Sequence, residues 1–319
     1  MRLRPTVTLC LVLAMAVAAG ACQSDGSDDK PAAGSTTIVS RDPGPPYEVT
    51  KVELTLVDAS RRTPSNDSYE GASTRTIETL LSLPTGAERP LPLIVFSTGI
   101  GGTATNYEGL YTHWVRAGYA VAAPVFPLSN ADAPGGSTIS DFNNQPGDIR
   151  FVIDELIRMS ADKKDRLART IDPARIALVG KSLGALTTLR AAFLVSDHES
   201  RENAVISLTG GSDGSKDYFT GITVPLLLVH GDADKTVPYS SSVRAFDAAL
   251  PPKYLVTLEG EGHGGAFNGE KTKAAQVVID VTLDFLDAYV RNDPAAFDRI
   301  AKSATVAGVA AIRTGAAGP

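Results

Sequence analysis

Cysteine is almost missing from this chain of 319 residues, which holds only Cys10 and Cys22, and a surplus of basic charge is missing too. Its 30 Lys and Arg face 36 Asp and Glu, for a formal charge of -6. Such a balance makes nucleic acid a poor partner, and no block of basic residues favours an anionic membrane surface. Long apolar runs are absent as well. The longest, residues 6–21, falls short of the roughly 20 residues that a membrane span needs and ends in Gly and small side chains. No internal repeat is visible. With 43% hydrophobic and 21% charged residues, the chain has the profile of an ordinary globular protein, and one domain accounts for its length.

What is present begins at the N-terminus. Arg2 and Arg4 precede the uncharged stretch 6–21, which closes on Ala19-Gly20-Ala21-Cys22, the layout of an export signal. The last four residues resemble a bacterial lipobox. That resemblance implies cleavage after residue 21, lipidation of Cys22, and a place on the outer face of the bacterial cytoplasmic membrane; a plain signal would instead give a secreted protein. Cys10 leaves with the leader in either case, so the mature chain can form no intramolecular disulfide. Residues 22–46, rich in Ser, Asp, Gly and Pro, cannot bury enough apolar surface to order themselves and read as a flexible tether.

From residue 47 the texture becomes strand and helix in alternation. Segments 49–57 and 75–83 alternate apolar with polar side chains, as strands with one buried face do. Segments 92–97, 119–123, 175–180, 204–209, 225–230 and 254–258 are nearly continuous apolar runs, expected where both faces of a sheet are covered. Helical spacing occupies 106–117, 146–159, 182–195, 240–250 and 271–291. The pattern predicts an α/β fold over 47–302, a mostly parallel sheet of about eight strands with helices on both faces. Residues 303–319, rich in Ala and Gly, read as a C-terminal tail.

Gly180-Lys181-Ser182-Leu183-Gly184 matches G-x-S-x-G, the turn that exposes a nucleophilic serine between a strand and a helix. The motif alone decides nothing, because Gly210-Gly211-Ser212-Asp213-Gly214 matches it equally well. Context separates the two. Ser182 follows the apolar strand 176–179 and opens a segment in which Leu186, Leu189, Ala192 and Phe193 recur at helical spacing, whereas Ser212 is followed by further glycines and no apolar period. Lys181 receives no catalytic role.

A serine hydroxyl needs a base, and the base needs an acid to hold its tautomer. Of four histidines, His263 lies in a Gly-rich loop between the last strand and the last helix, where the chain order Ser, Asp, His places a base. His230 ends a buried strand and is expected to support the loop after it, while His113 and His198 lie in helical or surface stretches. His230-Gly231-Asp232-Ala233-Asp234 offers two acids at a strand's C-terminal end, and composition leaves the choice open, with Asp213 a more distant candidate.

The segments 95–102, 145–152, 180–184, 230–238 and 262–263 resemble the α/β-hydrolase superfamily, and within it bacterial esterases related to dienelactone hydrolases and platelet-activating-factor acetylhydrolases. The resemblance covers residues 47 to about 300. It implies Asp234, ahead of Val237-Pro238, as the acid, and the backbone N–H groups of Ile100 and Leu183 as the oxyanion donors. One departure is Thr98, where many relatives carry His; because the donor is backbone, the geometry is expected to survive.

The implied reaction is ester cleavage through an acyl-enzyme, with Ser182 attacking, His263 moving the proton and Asp234 orienting it. No cofactor and no metal is called for. Phe126, Phe142 and Phe267 are expected to line an apolar acyl pocket, and no insertion is long enough for a separate lid, which favours small or medium esters. A peptidase or amidase, or a phospholipase-type acylhydrolase, could use the same triad. A non-catalytic binding lipoprotein is disfavoured by the presence of all three residues.

Overall fold

The computed structural model describes residues 46–212, 217–269 and 271–315. The leader 1–21, Cys22, nearly all of the tether and Asp213 lie outside them. Nine strands form one sheet: β1 (Val49–Asp58), β2 (Arg75–Pro84), β3 (Leu91–Ser97), β4 (Ala120–Val125), β5 (Ile171–Lys181), β6 (Glu202–Leu208), β7 (Leu226–Gly231), β8 (Lys253–Leu258) and β9 (Ala310–Gly315). Their order is β1-β2-β4-β3-β5-β6-β7-β8-β9. The six strands from β4 to β8 in that order are mutually parallel, and β1, β2 and β9 add antiparallel pairs at the two edges.

The apolar runs dictate the layering. Side chains alternate across a strand, so a run with no polar member needs cover on both faces. Ile94 and Phe96 of β3, with Ala177 and Val179 of β5, pack under α1 (Glu108–Arg116), α5 (Lys273–Tyr289) and α6 (Pro294–Ser303). Leu93, Val95, Ile176 and Leu178 point the other way, into α2 (Gln145–Ala161), α3 (Leu183–Phe193) and α4 (Tyr239–Ala248). Of the apolar side chains at helical spacing along α2, Ile149, Val152, Ile153 and Leu156 are sealed and Ile157 is half-buried, and Pro146 occupies the first turn. Polar ties fix the layers. Trp114 of α1 donates its indole N–H to Thr282 of α5 at 3.0 Å.

Two elements depart from the expectation. Helix α6 begins at a cap in which the Asp293 side chain accepts from Ala295 N, with Pro294 next, and it buries only Ala296 and Ile300. The stretch expected as a loose tail is corrected: after α6 the chain returns as β9, pairing along β8 from Ala310 opposite Leu258 to Gly315 opposite Lys253. Its residues are half exposed and weakly alternating. Backbone pairing to the open edge of β8 holds it, an attraction that hydropathy cannot register.

Candidate active site

The chain turns in opposite directions from β3 and β5, to β4 on one side and β6 on the other, although the two strands are neighbours. A sheet of this kind opens a crevice beyond the C-terminal ends of its strands at such a reversal. Gly99–Gly102 follows β3 and Ser182 follows β5, so both rim that crevice.

Ser182 sits between the last residue of β5 and the first of α3, with φ 58° and ψ -122°. This is a left-handed conformation that a residue with a side chain adopts at a cost of about 1–3 kcal/mol, borne by the surrounding structure. The strand and helix must nearly touch for the turn to close. A Cβ on Gly184 would stand 2.1 Å from the carbonyl oxygen of Ser97, so only glycine fits there. Ser182 N donates to Leu208 O at 3.0 Å, holding the turn against β6.

The loops after β7 and β8 bring two side chains to Ser182. His263 Nε2 lies 2.8 Å from Ser182 Oγ, and His263 Nδ1 lies 2.7 Å from Asp234 Oδ2. Facing a carboxylate, Nδ1 carries the hydrogen, which leaves Nε2 as the acceptor for the serine hydroxyl. Asp234 is itself fixed by donors: Thr236 N at 2.7 Å and Val237 N at 2.9 Å reach Oδ1. Burial works against its ionisation, but the hydrogen bonds from His263, Val237 and Thr236 outweigh that and hold the carboxyl below its ordinary range.

His230 is a further contributor that the sequence marked only as loop support. Its Nε2 lies 3.1 Å from Asp234 Oδ2 and 3.0 Å from Val237 O, while Nδ1 meets Ser242 Oγ at 2.7 Å. Two acceptors around Nε2 require the hydrogen there, and burial pushes the ring toward its neutral form. The signal was available: a histidine four residues before the acid, on the strand that carries it. Asp232 does not reach His263. Its carboxylate accepts from Gly260 N at 2.7 Å, bracing the acid loop against the base loop.

The turn after β3 lies against the serine, since a Cβ on Gly99 would fall 3.1 Å from Ser182 Cβ. Neither Ile100 N nor Leu183 N takes a partner among the described residues. Behind them runs a buried polar chain. Thr187 Oγ1 contacts both Leu183 O, at 3.1 Å, and the side-chain carbonyl of Gln145; Gln145 Nε2 donates to Ser129 Oγ at 2.8 Å; and Ser129 O accepts from Gly101 N at 2.7 Å. Lys181 is buried and points toward the same side as Val179, its Nζ 5.7 Å from the ring centre of Tyr107. Burial pushes its ammonium down to about 8, against an opposing pull from Asp234.

Two of the three phenylalanines expected to line an acyl pocket are sealed away from the surface, which corrects that expectation for them. Phe126 and Phe267 are sealed in the cores on opposite faces of the sheet, with no surface left for a ligand. Phe142 is half-buried, its ring centre 5.2 Å from the guanidinium of Arg190 of α3. Phe126 and Phe267 satisfied the composition of a pocket, but core packing claimed them first. Ser212, the second motif serine, makes no bond to a histidine among the described residues. No group of three or more His, Cys, Asp or Glu among the described residues is arranged to hold a metal ion.

No protein-family model matches the sequence. A stretch of 135 residues, 36% of the chain, is 27% identical to the uncharacterized protein YfhR of Escherichia coli strain K12 and covers 46% of it. A stretch of 117 residues is 27% identical to YfhR of Escherichia coli O157:H7, covering 31% of this chain and 41% of that protein. The chain thus spans less than half the length of these curated relatives. Among solved structures, a ferulic acid esterase from Streptomyces cinnamoneus superposes with a TM-score of 0.61 at 21% identity, over 81% of this chain and 94% of that one. The fold is that of the α/β-hydrolases.

Proposed function

We propose that this chain is a serine hydrolase that cleaves carboxylic esters. The observation that carries the reading is the unbroken relay from Ser182 Oγ through the His263 ring to Asp234, at 2.8 and 2.7 Å. In this reading His263 Nε2 takes the hydroxyl proton as Ser182 Oγ attacks the ester carbonyl. The imidazolium so formed faces an Asp234 carboxylate already held ionised by two backbone N–H groups. The negative oxygen turns toward the N–H groups of Ile100 and Leu183, each worth about 3–4 kcal/mol when preorganised. His263 returns its proton to the leaving alcohol, and water then repeats the sequence on the acyl-enzyme.

The substrate class draws support from the superposed neighbour, whose name is that of an esterase, and from the absence among the described residues of a domain over the crevice. Small or medium esters fit that accessibility. The same proposal places the protein outside the cytoplasm on a lipid attached to Cys22, on the strength of the Ala19-Gly20-Ala21-Cys22 sequence. The decisive experiment is Ser182→Ala. It is expected to abolish both turnover of a short-chain nitrophenyl ester, by a factor on the order of 10⁶, and labelling by a fluorophosphonate, with an unchanged melting temperature. Retained turnover would refute the assignment.

A further inference from the structure

The two N–H donors assigned to the oxyanion belong to different segments. Leu183 opens α3, and Ile100 lies in the turn after β3. Their separation has to be held to a fraction of an ångström for both to face one oxygen, because such donors act only when preorganised. Neither segment supplies that spacing alone. The turn closes on itself through Gly102 N to Gly99 O at 2.9 Å, and its bond to a neighbouring segment runs from Gly101 N to Ser129 O.

Ser129 is in turn fixed from two directions. Its carbonyl also accepts from Ser137 Oγ at 2.9 Å, and its hydroxyl accepts from Gln145 Nε2. On the far side the Gln145 carbonyl meets Thr187 Oγ1, one helical turn after Leu183, whose own carbonyl contacts the same hydroxyl. Gln145 and Thr187 are fully buried and Ser129 is 2% exposed. A polar chain sealed from water is costly unless every member is satisfied, and when satisfied it holds its members in one arrangement.

Given the reading of Ser182 as nucleophile, we infer that Gln145 is a positioning residue: its side-chain amide sets the separation of the two oxyanion donors by joining Thr187 to Ser129. It touches no substrate. It acts through Leu183 at one end of the chain and, through Gly101, on the adjoining Ile100 at the other.

The test uses Gln145→Met, close in shape and without hydrogen-bonding groups, and Thr187→Val, which breaks the other link. Each is assayed well below its own melting temperature with a nitrophenyl ester and with a trifluoromethyl ketone that forms an oxyanion on the serine. The inference expects kcat to fall about 10- to 100-fold, short of the full loss of a donor, with KM within about threefold. The ketone's inhibition constant should rise by the same factor as kcat falls. Thr187→Ser, which keeps the hydroxyl, should restore most of the activity, and the double variant should be little worse than the worse single one. Ketone affinity unchanged in folded Gln145→Met, or losses in the two singles that multiply in the double, would overturn it. Failure of the underlying reading would show differently, as wild-type protein that neither the ketone nor a fluorophosphonate modifies at Ser182.

Discussion

Replacing Arg75 by Met removes the only guanidinium that reaches both Asp141 and Asp148 among the described residues. Arg75 Nε and Nη2 bind Asp148 at 2.6 Å each, Nη2 also binds Asp141 at 2.8 Å, and all three side chains are sealed from solvent. Stripping one partner from a buried ion pair typically costs about 3–5 kcal/mol, because the charge left behind is neither solvated nor neutralised. The lower end applies here. Asp148 keeps Arg61 Nη1 at 2.9 Å, and Asp141 keeps Leu128 N at 3.2 Å and Asn144 Nδ2 at 3.0 Å. A loss of about 3 kcal/mol corresponds to a melting temperature lower by roughly 6–12 °C for a domain of this size.

The pH dependence has a definite sign. Burial already pushes the Asp148 carboxyl above its ordinary value of 3.8 despite Arg75, and removing Arg75 pushes it further. An acid whose value is raised in the folded state contributes fully at low pH, and that contribution is lost as pH rises through the folded value. The deficit of Arg75→Met should therefore be smaller at pH 5 than at pH 8. Urea unfolding at the two values measures it, and the triple variant with Asp141→Asn and Asp148→Asn should recover most of the loss. A variant within about 1 kcal/mol of wild type at pH 8, or equally impaired at both values, would refute the reasoning.

Lys181→Met removes a desolvated ammonium and is expected to raise the melting temperature at pH 7. Because the folded value near 8 lies below the ordinary 10.5, the native state itself sheds the cost as pH climbs between those values, so the gain should shrink across that window; a lowered melting temperature at pH 7 would contradict it. In a bacterial host fed a labelled fatty acid, the full chain should become labelled and Cys22→Ala should not. Unlabelled wild type would remove the lipid anchor from the proposal.

Most of the sheet was legible because its signal is local. An apolar run such as Leu226-Leu227-Leu228-Val229 needs cover on both faces whatever its neighbours, and the stripe on α2 needs a partner on one. The turn that carries Ser182 was legible for the same reason, since strand, tight turn and helix are adjacent in the chain there. What hid was non-local. Strand β9 depends on the free edge of β8, more than 50 residues earlier, and its own Ala-Ala-Ile-Arg-Thr-Gly carries little pattern. Phe126 and Phe267 offered the right side chains in the right loops, yet their burial depends on which layer each loop dips into.

By itself the sequence determined the class of fold, the succession of strands and helices as far as α5, and a serine and a histidine able to form a relay with two acids to choose between, because each of these follows from pattern within one segment. Only the tertiary structure decided that Asp234 and not Asp232 meets His263, that His230 steadies the acid, and that Gln145 links the two sides of the crevice. Those are distances of about 3 Å between groups up to 81 positions apart, as for Ser182 and His263, and no periodicity along the chain encodes them. They exist because both faces of one sheet are covered, and the loops at its C-terminal edge have a single place to go.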